Sequence, residues 1–165
     1  MARSFVVRPV DPADLPAVAR LAGQLVRYHH ALDPKRYMLI DGVEEGYASF
    51  LAREAKNARA VVLCAAEEPA GTIVGYAYGT LEGRDWNALL DPHGALHDVL
   101  VDPSVRRSGI GAELVLETCR RLEALGAPRV LLHTAVQNEA AQALFAKLGF
   151  RPTMIEMTRE RSEER

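Results

Sequence analysis

The sequence predicts a single mixed α/β (α+β) domain with a central sheet of about six to seven strands and helices on both faces. Three observations predict it. Leu96–Val101 is a short apolar strand stopped by Asp102-Pro103, and a long amphipathic run follows it to Leu125. Val130–Thr134 then reads as a second strand, with a second helix opening at Asn138. Upstream, two apolar runs separated only by a turn, Ala60–Ala66 and Ile73–Leu81, read as a meander. Meander strands followed by strand–helix alternation give a mixed, partly parallel sheet.

In chain order, Phe5-Val6-Val7 is the first strand. Asp11-Pro12-Ala13-Asp14 starts a helix, with Asp as cap and Pro in the first turn. Leu15, Val18, Leu21, Ala22, Leu25 and Val26 form its apolar stripe. Polar chemistry changes at Arg27-Tyr28-His29-His30, so the helix is expected to give way to a connection there, with a loop on to Gly42. A second helix carries Val43, Tyr47, Phe50 and Leu51 and ends near Asn57. The strand Ile73–Leu81 contains Gly75 and Gly79, which in strands mark a bulge or a close backbone approach. Gly83–Gly94 is a loop with Trp86, the only tryptophan. Ile110, Leu114, Val115, Cys119, Leu122 and Leu125 form one helix face, and Gly126 follows as a left-handed terminator. Leu144, Phe145 and Leu148 give the last helix its stripe. Thr153–Thr158 is the last strand, and a frayed tail covers 159–165.

A chain of 165 residues is one ordinary domain, 1–165. At this size about 68–70% of the unfolded surface can be buried, so no disulfide or metal staple is needed. The net charge of −2 carries no electrostatic footprint for nucleic acid or an anionic membrane. Two cysteines make no disulfide framework, and both read as small core residues of a reducing cytoplasm. Met1-Ala2-Arg3-Ser4 leads straight into a strand rather than into a signal peptide, and no apolar run approaches the ~20 residues that span a bilayer. The expectation is a cytoplasmic protein.

The loop between Asp102 and the helix holds Arg106, Arg107, Ser108, Gly109 and Gly111. A helix N-terminus has unpaired N–H groups and partial positive charge, and glycines admit an anion close to the backbone. The stretch reads as a phosphate site. It is no P-loop, since the run Gly-x-x-x-x-Gly-Lys-Ser/Thr is absent. It is no dinucleotide fingerprint, because Gly109-Ile110-Gly111 lacks the third glycine and the next strand ends without an acid.

Arg106-Arg107-Ser108-Gly109-Ile110-Gly111 matches Arg/Gln-x-x-Gly-x-Gly/Ala and resembles the acetyl-CoA loop of the GNAT superfamily of N-acetyltransferases. Asn138-x-x-Ala141-x-x-Leu144-Phe145-x-Lys147-x-Gly149-Phe150 resembles that family's second signature. The likeness is sharp over about 95–150, the expected cofactor-binding core. It implies acetyl-CoA as co-substrate, held by the backbone of Val99, Leu100 and Val101, by the loop Arg106, Arg107, Ser108, Gly109, Ile110, Gly111 and Ala112, and by Asn138. Many members have Tyr where this chain has Phe145, and that Tyr is assigned as the acid for the leaving thiolate. Phe145 cannot do this, but its ring is expected beside the pantetheine sulfur, and Tyr76 and Tyr78 are the nearby phenols.

The implied reaction is transfer of acetyl from acetyl-CoA to a primary amine of a small molecule or peptide by direct attack. It needs a proton acceptor. The family commonly has an acid on the strand that here carries His97 and Asp98, and these two are the catalytic candidates. Adjacent strand residues face opposite sides, so only one reaches a cleft unless a bulge intervenes. Substrate contacts are expected from the connection Tyr28–Tyr37 and the Trp86 loop, with Tyr28, Tyr78 and Trp86 as named candidates. No metal site is expected: His29 and His30 diverge on a helix, and Gly94 and a strand intervene between His93 and His97. A second copy of the chain is a candidate partner. Two rival readings stay open, a non-catalytic acyl-CoA-binding sensor or regulatory module of the same fold, and a purely structural interaction domain.

Overall fold

A computed structural model describes residues 4–161. Five strands form one sheet in the order β1 (Ser4–Pro9), β2 (Ala60–Glu68), β3 (Thr72–Glu82), β4 (His93–Val101) and β5 (Val130–Leu132). The first four are antiparallel neighbours, and β5 runs parallel to β4. The helices are α1 (Leu15–Leu32), α2 (Val43–Glu54), α3 (Ile110–Ala124) and α4 (Glu139–Lys147).

The sheet divides two cores by the two-residue strand period. On β2, Val61, Leu63 and Ala65 pack with Ile110, Leu114, Val115 and Phe145 on the α3–α4 side. Val62 and Cys64 pack with Val18, Leu21, Leu25 and Leu51 on the α1–α2 side. Arg8 of β1 donates to the Asp14 carboxylate at 2.6 and 3.1 Å and ties the first strand to the start of α1. Both cysteines are free. No helix among the described residues is long and apolar enough to cross a membrane.

Three expectations are corrected. The sheet has five strands rather than six to seven. Thr153–Thr158 is exposed and irregular, because a strand needs an edge to pair along and the edge strand β5 offers three residues. Glu156 instead meets Arg36 of the α1–α2 connection, with Nη2 to Oε2 at 2.9 Å. The tail expected to fray, 159–165, is exposed to Arg161, and 162–165 lies outside the described residues. Finally, α1 does not stop at Arg27 but runs to Leu32. Nothing in Tyr28-His29-His30-Ala31 breaks a helix. The stop comes at Asp33, whose αR conformation is disfavoured by Pro34.

Candidate active site

The site is set by one irregularity between β3 and β4. Tyr78 pairs with Asp98 and Gly79 pairs with Leu96, so His97 is an extra residue on β4. A bulge of this kind puts two consecutive side chains on one face. Leu96 and Val99 join the α3–α4 core. His97 and Asp98 both point to the α1–α2 side, where His97 stacks on Tyr78 at 5.1 Å and Asp98 accepts from the Tyr76 hydroxyl at 3.1 Å. Gly79 makes room for the irregularity, since a Cβ there would lie 2.8 Å from the Ala95 carbonyl oxygen.

The two residues occupy different environments. Asp98 lies under Tyr76 and Tyr47, and burial pushes its carboxyl above the usual range, although the Tyr76 hydrogen bond and His97 act the other way. Burial also raises the Tyr76 and Tyr47 phenols, and the neighbouring Asp98 adds to it. The His97 side chain is 41% exposed. Its Nε2 lies 2.7 Å from the Thr80 hydroxyl and 3.6 Å from the Glu82 carboxylate. Tyr78 donates to Glu54 of α2 at 2.7 Å.

The same strand has an open edge. β4 pairs with β5 only through Gly94, Ala95 and Leu96. From His97 to Val101 the edge of β4 that faces away from β3 pairs with no strand among the described residues. The end of that edge lies near the N-terminus of α3. A Cβ on Gly111 would lie 3.6 Å from Val101 and 3.5 Å from Leu144, so the first turn of α3 sits between the end of β4 and α4. The loop before it is set by Asp102, whose carboxylate accepts from Ser104 N–H at 2.9 Å, and by the Ser108 hydroxyl on the Val105 carbonyl at 2.6 Å. Gly109 stands at φ +88°, a conformation costly for any residue with a Cβ. Among the described residues no side chain caps α3, and the Glu113 N–H bonds to Gly109 O, so the N–H groups of Ile110, Gly111 and Ala112 precede the helical ladder. Arg106 and Arg107 are exposed beside them and make no ion pair among the described residues.

Other expected residues are spread more widely. Leu100 is buried toward α1, and Val99 and Val101 pack toward α3, so their side chains serve the two cores while their backbone lines the open edge. Asn138 caps α4, its side chain accepting from Ala141 N–H at 3.2 Å. Phe145 is buried edge-on to Phe150, with ring centroids 5.8 Å apart. Tyr78 belongs to the site floor. Tyr28 is edge-on to His29, and Trp86 is 76% exposed under the Arg84 guanidinium. Neither Tyr28 nor Trp86 makes a hydrogen bond or ring contact with His97 or Asp98 among the described residues. Thr80, Tyr47 and Glu54 were not expected. The alternation Tyr76-x-Tyr78-x-Thr80-x-Glu82 was the available signal for Thr80, since it marks one strand face. No group of three His, Cys, Asp or Glu among the described residues is arranged to hold a metal ion.

The sequence profile of the Acetyltransferase (GNAT) family matches residues 26–150. The chain is 29% identical over 151 residues to a mycothiol acetyltransferase of Thermomonospora curvata, covering 87% of this chain and 49% of that protein. It is 33% identical over 87 residues to a glucosamine 6-phosphate N-acetyltransferase of Trypanosoma brucei brucei, covering 51% of this chain and 54% of that protein. The chain thus spans about half the length of these curated relatives. In fold it is similar to the BH1408 protein of Bacillus halodurans, with TM-score 0.80, 20% identity, and 94% and 99% of the two chains covered. It is also similar to an aminoglycoside N-acetyltransferase, AAC(6')-Iy, crystallised with CoA, with TM-score 0.75, 18% identity and 98% of each chain covered.

Proposed function

Since the chain belongs to the GNAT acetyltransferase family, we propose that it is an N-acetyltransferase moving an acetyl group from acetyl-CoA to a primary amine of a small molecule or peptide. The observation that carries this reading is the bulge. It brings His97 and Asp98 to one face, beside an open strand edge that runs into an uncapped helix N-terminus.

The residues present fit the co-substrate. The N–H groups at the start of α3 offer donors and partial positive charge to a pyrophosphate, and Arg106 and Arg107 add charge there. The free edge of Val99–Val101 offers strand-like hydrogen bonds to an amide-bearing arm. Acetyl-CoA supplies the acetyl group as a thioester.

Everything else falls to this chain. A protonated amine has no lone pair to attack with, so a proton must be removed. His97 accepts it, directly or through one water, because the ring is exposed beside the strand edge and an imidazole nitrogen can take a proton. Asp98 is the second candidate, half-buried and held by Tyr76. The leaving thiol needs no strong acid, since thiols titrate near pH 8.5, and buried Phe145 has no hydroxyl to offer.

The test is a screen of amines for release of free CoA thiol from acetyl-CoA. With an acceptor in hand, His97→Ala should lower kcat by about 10²–10⁴-fold with little change in the KM for acetyl-CoA. An unchanged kcat in that variant would move the proton acceptor to Asp98. Binding of acetyl-CoA with no thiol release for any amine would favour the sensor reading instead.

A further inference from the structure

Thr80 lies between His97 and Glu82. It is a buried residue at the end of the polar row on β3, and its hydroxyl contacts both neighbours. A hydroxyl has one proton to give. A carboxylate only accepts, so the Thr80 proton goes to Glu82. The imidazole nitrogen at 2.7 Å from the same oxygen must then be the donor. Nε2 therefore carries the ring proton, and Nδ1 carries the lone pair. Nδ1 has no hydrogen-bond partner among the described residues, and Tyr78 holds the ring plane at 29° to its own.

We propose that Thr80, held by Glu82, is a positioning residue that fixes the tautomer of His97 and leaves Nδ1 free to accept the substrate proton. The inference rests on the reading of His97 as the proton acceptor. In the step, the amine N–H bond breaks and the Nδ1 lone pair forms the new N–H bond. The amine nitrogen keeps its electron pair for attack. His97 then has protons on both nitrogens, its Nε2–H stays hydrogen-bonded to the Thr80 oxygen, and the Thr80 O–H stays covalently intact and hydrogen-bonded to Glu82. No proton passes along the row. The charged ring then stands 3.6 Å from the Glu82 carboxylate.

The experiment is ¹⁵N NMR of the substrate-free protein labelled at histidine, at a pH where the His97 ring is neutral, alongside steady-state kinetics. In the parent, His97 should carry its proton mainly on Nε2. Thr80→Val keeps the shape and removes the hydroxyl, and should return His97 to a mixture of tautomers. The same variant should lower kcat about tenfold, leaving the KM for acetyl-CoA unchanged. Thr80→Ser should restore both the tautomer and the rate. A parent His97 with its proton on Nδ1 would overturn the proposal, and so would a Thr80→Val protein with an unaltered tautomer. The spectrum needs no turnover, so it separates this inference from acetyl transfer: an Nε2–H ring in a protein inert toward every amine would uphold Thr80 and sink the enzymatic reading.

Discussion

Asp98 is the residue whose chemistry the fold alters most. An aspartate in an unfolded chain titrates near pH 4. Burial raises the folded-state value, and the Tyr76 hydrogen bond offsets only part of it. Between the two values the folded protein binds more protons than the unfolded chain, so stability declines as pH rises through that window. Asp98→Asn has no carboxyl to titrate, while its amide oxygen still accepts from Tyr76. Measured by urea unfolding across a pH series, the variant should gain on the parent as pH rises from about 4 and then run parallel to it. Curves parallel at every pH would show that burial does not raise the Asp98 carboxyl. His97 and Asp98 were legible in the sequence as neighbours on one strand. Their shared face was not, because a bulge is a property of a strand pair. Gly79 was its only local trace, and the exact register depends on how Tyr78 and Leu96 pack on opposite faces.

At the scale of elements, the decisive one is the first turn of α3. Its N–H donors, its dipole and its two arginines were all readable from a loop of known composition entering an amphipathic helix. Gly111 allows a clean separation of binding from folding. It lies inside the helix, with only ordinary contacts awaiting a Cβ. Gly111→Ala should therefore raise stability by up to about 1 kcal/mol through helix propensity. If the backbone here is approached by a pyrophosphate, the added methyl should weaken acetyl-CoA binding while the melting temperature rises. Calorimetric titration checks the first and thermal unfolding the second; equal affinity in parent and variant would remove Gly111 from the site. Gly109→Val is the less discriminating change, because φ +88° strains any β-branched residue before a ligand is considered. The length of α1 was the misread element. Polarity changes at Arg27, but polarity alone does not end a helix, and the last turn is held by His29 Nδ1 on the Leu25 carbonyl at 3.0 Å.

At the scale of the molecule, the unpaired edge of β4 and the start of α3 belong to different elements, so a ligand spanning both would be bound by the folded state alone. A compound bound only by the folded state stabilises it by mass action, about 2.7 kcal/mol at one hundred times its Kd. For a domain of 150–250 residues that corresponds to a melting-temperature rise of about 5–11 °C. Acetyl-CoA at that ratio should produce a shift of this size. A flat response at saturating concentration would sink the acetyltransferase and sensor readings together.

The sequence by itself determined what is local. Apolar periodicity carried the four helices and the five strands that form, along with a sixth, Thr153–Thr158, that does not, and the Arg106–Gly111 loop and the Asn138–Phe150 run carried the family. Those signals lie within one turn or one strand and need no distant partner. The tertiary structure decided what depends on pairing: the bulge that turns His97 toward Asp98, the three-residue contact of β5 that leaves the β4 edge open, and the failure of Thr153–Thr158 to join the sheet. Each of these requires a second chain segment at a particular register. Register is set by the sum of packing on both faces, which no single stretch of sequence contains.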